Sequence, residues 1–352
     1  MKSKFFELDQ LKSIEFDITS YCNSGCPICV RHEWGTSDTV SELVLSHLDK
    51  KIIFDVADQF ENKDVKFHFN GVLGDAMMHP DILEIVNYIS SKGISVNIET
   101  NGGSRNVKLW EELGKIKKLN VQFSIDGLAD TNYIYRIKTS FEKIINNAKA
   151  YIKSGGNAHW KFIVFEHNQH QVDTAKLFAE NLGFSGFTTL ESVRFLESEY
   201  VIDKKYYKHN PEAYDEDYVI RPADNVKQKL SNFMISNIND APVEDIDCKS
   251  IHRKDMFIAH DGKVWPCCFF ESFKYKPDFK NFYNLAISKY GDNFNNLYFN
   301  NFKQIFNSDF FQNFLYENWN TDPNKVCKFK CGRKYKGNDW KTKVNKTVQN
   351  IR

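Results

Sequence analysis

Three closely spaced cysteines are the residues of this sequence whose type and spacing point most directly to chemistry. Cys22, Cys26 and Cys29 form a C-x3-C-x2-C triplet directly after an apolar stretch. Thiolates are soft ligands that suit iron–sulfur clusters. With 8 cysteines in 352 residues, two more at fixed offsets from a given one arise by chance about once in two thousand cases. Three ligands leave one iron open to a small molecule, so the triplet predicts a reactive cluster.

Zinc is the alternative metal for this triplet. A structural zinc site needs four ligands, and the nearest candidate for the fourth is His32, in the spacing C-x3-C-x2-C-x2-H. The residues alone leave both metals open and favour the cluster, because no fourth cysteine lies nearby.

The other five cysteines lie in the last third of the chain. Cys248 precedes two short β-like runs that flank an Asp-Gly pair, which is the pattern of a hairpin, and Cys267 and Cys268 follow the second run. Cys327 and Cys331 form C-x3-C, which on a helix places both thiols on one face. Four cysteines from three places predict a closed site for either a second cluster or structural zinc. Cys268 is expected to face the opposite side of its strand, and which of Cys267 and Cys268 is a ligand stays open.

The elements that must position these cysteines alternate between strand-like and helix-like segments. Strands are predicted at 14–18, 65–69, 94–98, 121–125, 160–165 and 193–196, and helices at 41–60, 81–91, 109–116, 141–153 and 172–181. This alternation implies an α/β fold with parallel strands. Five or six units are too few for an eight-stranded barrel, so we expect an open barrel or a curved sheet. Ligands should gather at the carboxyl ends of its strands.

Three segments divide the chain. Residues 1–200 are predicted to form a core domain, 201–245 a charged and polar linker, and 246–352 a smaller domain with the later cysteines. The end of the chain, 325–352, is rich in Lys and Arg and has Asp339 as its single acid. We expect a solvated terminus there; the alternative is a segment that guides an anionic substrate or a peptide.

Bulk properties exclude several classes of protein. No run of about 18 apolar residues is present, and the N-terminus lacks the pattern of a signal peptide. We therefore expect a cytoplasmic protein with reduced cysteines and no membrane partner. The net charge of +1 favours no partner by bulk charge, so nucleic acid is not the expected ligand.

Taken together, these motifs resemble the radical S-adenosylmethionine (radical SAM) superfamily. The resemblance rests on the Cys22–Cys29 triplet after the first strand, in a run of βα units. The later pattern Cys248-x13-Gly262-x4-Cys267 with a following cysteine pair resembles the twitch or SPASM domain, which binds an auxiliary cluster. The implied fold is a partial (β/α)6 barrel of radical SAM type plus a small C-terminal α+β cluster-binding domain.

The resemblance also implies cofactors and ligands. Cys22, Cys26 and Cys29 would ligate a [4Fe–4S] cluster whose fourth iron chelates S-adenosylmethionine (SAM). One electron would cleave SAM to methionine and a 5′-deoxyadenosyl radical that abstracts hydrogen from a substrate. A second, auxiliary [4Fe–4S] cluster would be held by the four cysteines already named: Cys248, Cys267, Cys327 and Cys331.

Six further residues match positions that bind SAM in this superfamily. Gly74 and Asp75 lie where the family has Gly-Gly-Glu-Pro, and Asp75 would accept from the SAM amino group. Ser124 matches a serine near the ribose and carboxylate, and Arg136 an arginine that pairs with the methionine carboxylate. Thr100 and Asn101 are weaker ribose candidates. For Asp75, the alternative is a residue that starts a helix.

The sequence departs from the family pattern in three ways. Ile28 stands where an aromatic residue commonly precedes the third cysteine. Asp75 replaces Glu and must reach about one methylene further. The later cysteines suffice for one auxiliary cluster, so the twitch version fits better than a full SPASM domain.

The predicted function is radical abstraction of hydrogen from an unidentified substrate. The leading reactions are oxidation of an alcohol or side chain and modification of a peptide, with flavodoxin or ferredoxin as the reducing partner. No segment for binding a leader peptide fits before Cys22, which makes a peptide substrate less favoured. No residue is assigned to the hydrogen-transfer step itself. The rival hypothesis is a non-catalytic iron–sulfur or zinc protein that binds nucleic acid through its basic tail.

Overall fold

A computed structural model describes residues 5–33, 35–192, 220–226, 246–275, 277–332 and 349–350. The chain divides into two compact units. The first comprises the described residues of Met1–Tyr21, Val44–Asn97 and Pro242–Asp339, and the second those of Cys22–Leu43, Ile98–Ala241 and Trp340–Arg352. The strand predicted at 193–196 and most of the predicted linker at 201–245 lie outside the described residues. The three predicted domain ranges stay a prediction.

Strands and helices alternate through the first half of the chain, as predicted. The strands are β1 (Ser13–Phe16), β2 (Lys66–Phe69), β3 (Ser95–Thr100), β4 (Leu119–Ser124), β5 (Asn157–Val164), β6 (Gly186–Glu191), β7 (Asp255–Ile258), β8 (Val264–Trp265) and β9 (Gln349–Asn350). The α-helices are α1 (Lys50–Gln59), α2 (Ile82–Ser91), α3 (Val107–Gly114), α4 (Asn132–Tyr135), α5 (Phe141–Lys153), α6 (Val172–Leu182), α7 (Lys249–Arg253), α8 (Cys268–Ser272), α9 (Pro277–Tyr290), α10 (Phe302–Phe306), α11 (Leu315–Thr321) and α12 (Lys325–Cys331).

The first unit is built around β1. This strand pairs in parallel with β2 on one side and with β7 on the other. Its residues Ile14 and Phe16 are fully buried, while the strand end leads to the cysteine triplet in the sequence. The predicted hairpin is present, since β7 and β8 pair antiparallel. Its turn needs Gly262, whose φ of 82° lies in the left-handed region.

The second unit contains the parallel strands β4, β5 and β6, with β5 between the other two. Helix α5 begins at a serine cap, because the Ser140 side chain accepts from the Lys143 N–H. Helix α6 ends at Gly183, which has a φ of 84°. The loops after these strands therefore share one end of the unit, where ligands of parallel sheets bind.

Two predicted elements differ from the structure. Helix α1 begins at Lys50, not at residue 41, because the preceding segment bonds to the chain beyond β1: Leu48 N–H donates to Ile18 O, and Ser20 N–H donates to Ser46 O. Asp49 then caps the helix through the Lys51 N–H. The sixth strand described lies at Gly186–Glu191, before the predicted range.

Candidate metal centres

The cysteine triplet occupies a loop of the second unit whose polar groups surround the sulfurs. Cys26 is buried, and its Sγ lies 3.0 Å from Ser24 Oγ. The Ser24 N–H donates to Cys22 Sγ at 3.4 Å, and the Cys29 N–H donates to Cys26 O at 3.1 Å. Hydrogen bonds to sulfur favour the thiolate form that a metal requires.

The carboxyl end of β3 adds a donor to this loop. The Asn101 Nδ2 group donates to Asn23 Oδ1 at 2.9 Å and lies 3.9 Å from Cys22 Sγ. Asn101 Oδ1 accepts from Gly103 N, and Thr100 Oγ1 accepts from Gly102 N. The structure thus brings Asn101 to the triplet, where it holds the cysteine loop, while the Thr100 side chain bonds to the Gly102 N–H.

Arg136 lies beside the triplet in a buried ion pair. Its Nε donates to Asp126 Oδ2 at 2.6 Å, and its Nη1 group lies 3.6 Å from Cys26 Sγ. Burial alone would lower the pKa of Arg136, but the neighbouring Asp126 and Cys26 more than offset this, so the pKa is raised. Burial raises the pKa of the Cys26 thiol, and Arg136 opposes that rise. The guanidinium is therefore a fixed positive charge next to the sulfur.

Asp126 lies beside the triplet through its bond to Arg136, and the sequence interpretation assigned it no specific role. Its side chain is fully buried and also accepts from the Ile163 N–H at 2.6 Å. The available signal was its place in an Asp-Gly pair two residues after the end of β4. Ser124, the predicted SAM contact, is the buried last residue of β4.

His32 is not placed as a metal ligand. Its Nδ1 lies 2.9 Å from Cys26 O, and its Nε2 accepts from Arg31 Nε at 3.2 Å. Burial lowers the pKa of His32 to about 4, so the ring is neutral at pH 7. Since both nitrogens bond within the loop, His32 is not positioned as the fourth ligand of a zinc ion.

Gly74 and Asp75 belong to a tightly packed loop of the first unit. A Cβ at Gly74 would lie 1.9 Å from Thr19 O, so only glycine fits. The Asp75 N–H donates to Tyr21 O at 2.8 Å, and its carboxylate accepts from the Met77 N–H at 3.0 Å. Asp75 thus caps the 3-10 helix Ala76–Met78, which is the role given above as the alternative to SAM binding. These bonds fix its position directly beside the residue that precedes Cys22 in the sequence.

The later cysteines converge on one pocket of the first unit. Cys248 hydrogen-bonds with Cys331, and this bond together with burial raises its pKa well above the usual range. Burial raises the pKa of Cys267 strongly, and Cys327 and Cys331 add to the rise. Burial likewise raises the pKa of Cys327 to about 12. The four cysteines predicted to hold the auxiliary group all line the pocket. Two of them, Cys327 and Cys331, lie on the single helix α12.

Donors and cations surround these four thiols. Trp319 Nε1 and Asn324 Nδ2 lie 3.3 and 3.4 Å from Cys327 Sγ. Lys249 and Lys330 line the same pocket, and Lys249 interacts electrostatically with Cys331 and Cys267. Within the described part of the chain, no three or more His, Cys, Asp or Glu side chains lie as close together as the ligands of a single metal ion. The donor set fits a group that carries negative charge on its sulfurs.

Cys268 differs from the expectation that it faces the opposite side of a strand. Strand β8 ends at Trp265, and Cys268 is the first residue of α8, with Cys267 as its cap. Burial raises the Cys268 pKa, and the neighbouring Glu15 adds to the rise through charge and a hydrogen bond. Cys268 lines the pocket but interacts with Glu15 on β1.

Comparisons with known proteins agree with these two centres. Residues 16–178 match the radical SAM superfamily, and residues 248–332 match the SPASM iron–sulfur cluster-binding domain. Residues 16–178 therefore form a radical SAM segment, as the resemblance predicted. More particularly, this segment is followed by an auxiliary cluster-binding segment of SPASM type. The cofactors are a [4Fe–4S] cluster and SAM in the first segment and an iron–sulfur cluster in the second, which favours a cluster over zinc at the later cysteines.

Individual relatives are distant. The chain is 26% identical over 178 residues to the mycofactocin maturase MftC of Mycobacterium ulcerans, covering 50% of this chain and 46% of that protein. It is 25% identical over 119 residues to a tungsten-containing aldehyde ferredoxin oxidoreductase cofactor-modifying protein of Pyrococcus furiosus, covering 34% and 32%. The chain thus spans less than half the length of these curated relatives.

The fold has a solved counterpart. The structure of Streptococcus suis SuiB bound to its precursor peptide SuiA matches 92% of this chain and 70% of that chain, with a TM-score of 0.55 and 15% identity. This likeness confirms the fold class, the partial (β/α)6 barrel of radical SAM type with a C-terminal domain. In the described part of the chain, every helix is too short or too polar to cross a membrane.

Proposed function

We propose that the chain is an enzyme that cleaves SAM reductively and uses the resulting radical to take a hydrogen atom from a peptide side chain. The observation that carries the proposal is the set of polar groups beside two sulfurs of the triplet. Ser24 Oγ and Arg136 Nη1 lie 3.0 and 3.6 Å from Cys26 Sγ, and Asn101 Nδ2 lies 3.9 Å from Cys22 Sγ. When bound there, the cluster and SAM supply a one-electron cleavage to methionine and a 5′-deoxyadenosyl radical.

The chain's own residues would hold and orient these cofactors. Cys22, Cys26 and Cys29 would ligate the SAM-binding cluster. Arg136 Nε donates to Asp126, and Nη1 lies beside Cys26 Sγ. The third guanidinium nitrogen, Nη2, would therefore donate to the SAM carboxylate. This pairing suits an anionic ligand, since the guanidinium is locked and stays charged.

The remaining SAM contacts would come from the carboxyl ends of strands. Asp75, fixed by its bond to Tyr21 O, would accept from the SAM amino group, with Gly74 allowing the close approach. Ser124 and Thr100 would face the ribose and carboxylate. Asn101 would act on the cluster loop, because its amide already bonds to Asn23.

The auxiliary cluster would be held by the four converging cysteines: Cys248, Cys267, Cys327 and Cys331. Lys249 and Lys330 would offset its negative charge, since both line the pocket. The cluster would anchor the substrate or accept the electron that the substrate radical releases on oxidation.

A peptide substrate is supported by two relatives. One is named a maturase of mycofactocin, and a structural neighbour was solved with its precursor peptide. Reduced flavodoxin or ferredoxin would donate the electron. Since no disulfide joins the eight cysteines, we also propose a reducing, cytoplasmic setting.

Anaerobic reconstitution with iron and sulfide, followed by dithionite and SAM, tests the proposal. Wild-type protein should produce 5′-deoxyadenosine, measured by liquid chromatography and mass spectrometry. The variant Cys22→Ala/Cys26→Ala/Cys29→Ala should produce none and keep about half of the iron. Intact clusters without 5′-deoxyadenosine would instead support the non-catalytic iron–sulfur protein that binds nucleic acid.

A matched pair of variants tests the auxiliary ligands in that triple-variant background. Cys267→Ser should lose most of the remaining iron, whereas Cys268→Ser should keep it, because Cys268 interacts with Glu15. Zinc retained in place of iron would contradict the auxiliary cluster. The peptide substrate is tested by comparing peptide masses in source cells that contain wild-type or triple-variant protein.

A further inference from the structure

Three buried polar side chains of the first unit meet outside the sites described so far. Asp17 follows β1, His260 follows β7, and Glu271 lies on α8, with exposures of 1%, 2% and 0%. His260 Nε2 lies 3.5 Å from Glu271 Oε1, and Asp17 interacts electrostatically with both residues. The group therefore gathers two carboxyl groups and an imidazole away from solvent.

Each of the three has one side-chain atom without a hydrogen-bond partner within the described ranges. These atoms are Asp17 Oδ1, His260 Nε2 and Glu271 Oε2. Their other polar atoms are bonded: His260 Nδ1 lies 2.7 Å from Ser46 Oγ, and Glu271 Oε1 lies 2.7 Å from Lys274 Nζ. Leaving a buried polar atom unbonded costs free energy, and an internal water characteristically bonds to about three such atoms.

The same group is joined to the loop that contains Gly74 and Asp75. Asp17 Oδ2 accepts from the Leu73 N–H at 2.8 Å. Gly74, the next residue, packs against Thr19 O with no room for a side chain, and the Asp75 N–H bonds to Tyr21 O. Asp17 therefore fixes one end of this loop, while Thr19 and Tyr21, which follow β1 in the sequence, fix the other.

We propose that Asp17, His260 and Glu271 form an internal water site, and that Asp17 is a positioning residue that holds the Leu73–Asp75 loop for SAM. The second part rests on the proposed function, in which Asp75 accepts from the SAM amino group. Asp17 acts through the Leu73 N–H and does not touch SAM. The water gives Asp17 Oδ1 a partner, so that the carboxyl group keeps one orientation.

Burial supports this arrangement. It raises the pKa of Asp17 to about 7, while His260 and the Leu73 N–H oppose the rise and Glu271 adds to it. The carboxyl group is thus partly protonated at neutral pH and can donate to or accept from a water. An asparagine can do the same: its Oδ1 accepts from Leu73 N–H, and its Nδ2 donates.

The test compares Asp17→Ala and Asp17→Asn in the reconstituted holoenzyme. Asp17→Ala should raise the KM for SAM about tenfold in 5′-deoxyadenosine formation, with kcat within about twofold, because a displaced loop weakens SAM binding. Asp17→Asn should restore KM to within about threefold of wild type. Iron content and the electron paramagnetic resonance spectra of both clusters should match wild type in each variant.

A core variant separates positioning from general destabilisation. Ile89→Val, at a buried position of helix α2, removes a methylene without touching the group, and its KM for SAM should be unchanged. Wild-type KM in Asp17→Ala would overturn the positioning role, as would an equal rise in Ile89→Val. Wild-type protein that never cleaves SAM would overturn the proposed function, and the water site would then be judged by crystallography.

A crystal structure at about 1.5 Å resolution tests the water directly. One ordered water within hydrogen-bond distance of Asp17 Oδ1, His260 Nε2 and Glu271 Oε2 is the expected result. A direct bond between His260 and Glu271 with no ordered water beside them would overturn the water site. The crystal result holds even if Asp17→Ala does not fold, and Asp17→Asn then carries the kinetic comparison.

Discussion

At the scale of single residues, the ion pair of Arg136 with Asp126 shows how a buried charge is kept beside the cysteine triplet. The Asp126 side chain is fully buried and that of Arg136 is 13% exposed. Breaking a buried pair leaves one charge without compensation, whereas removing both charges is far less costly. The pair therefore holds Arg136 Nη1 beside Cys26 Sγ. Losing one partner destabilises the fold, because the other charge then stays buried and unpaired.

This asymmetry predicts the stability of three variants of the metal-free protein. Arg136→Met should lower the free energy of unfolding by about 3–5 kcal/mol, measured by urea denaturation. Adding Asp126→Asn should recover part of the loss, since the amide oxygen still accepts from the Ile163 N–H. The exposed pair of Arg221 with Glu166 is the control, and Arg221→Met should cost less than about 1 kcal/mol. A double variant no more stable than Arg136→Met would contradict this account.

At the scale of elements, the start of α12 joins helix capping to the auxiliary centre. The Asn324 side chain accepts from the Cys327 N–H at 3.0 Å and donates to Cys327 Sγ at 3.4 Å. One amide thus caps the helix and bonds the sulfur. Aspartate can perform the first task but not the second, because a carboxylate only accepts.

Asn324→Asp should therefore separate the two roles. We expect metal-free stability within about 0.5 kcal/mol of wild type, because Asp and Asn cap equally well. The midpoint potential of the auxiliary cluster should fall, because a donor to sulfur is lost and a negative charge is added. Potentials are measured by redox titration in the Cys22→Ala/Cys26→Ala/Cys29→Ala background.

Two comparisons control this measurement. Asn324→Ala should lower the potential and also cost about 1 kcal/mol of stability. Asn301 caps α10, and Asn301→Asp should leave the potential at its wild-type value. An unchanged potential in Asn324→Asp would show that the amide does not act on the sulfur.

The sequence predicted these elements unevenly, for physical reasons. Helix α5 and the β7–β8 hairpin were predicted because local signals suffice: the helical spacing of residues 141–153 and the Asp-Gly turn of the hairpin. The extended segment before α1 has helical spacing, yet its backbone bonds to Ile18 and Ser20, a distant contact that periodicity cannot reveal. The parallel pairing of β7 with β1 is likewise long-range. Asp126 was assigned no specific role because an Asp-Gly pair after a strand is also an ordinary turn.

At the scale of the whole molecule, burial shifts the pKa values of titratable groups in the two units, upward for two carboxyl groups of the first unit and downward for two imidazoles of the second. In the first unit, burial raises the pKa of Asp17 to about 7 and raises that of Asp255. In the second, burial lowers the pKa of His32 and of His167 to about 4. Each shift makes the unit's stability depend on pH.

The signs predict opposite pH dependences for the two units of the metal-free protein. A folded carboxyl group with a raised pKa binds more protons than the unfolded one, so the first unit should lose stability as pH rises from about 5 to 7. A folded imidazole with a lowered pKa binds fewer protons than the unfolded one, so the second unit should gain stability as pH rises towards 6.5. Amide hydrogen exchange, corrected for intrinsic rates, should show falling protection in α2 and rising protection in α5.

Substitutions assign these slopes to their groups. Asp17→Asn should flatten the fall in α2 and leave α5 unaffected, since an amide does not titrate. His167→Gln should reduce the rise in α5, because His32 alone then releases its proton on folding. Slopes of the same sign in α2 and α5, or an unchanged α2 slope in Asp17→Asn, would contradict the assignment. Opposite slopes would mean that pH redistributes stability between the unit that contains the cysteine triplet and the unit that contains the auxiliary cysteines.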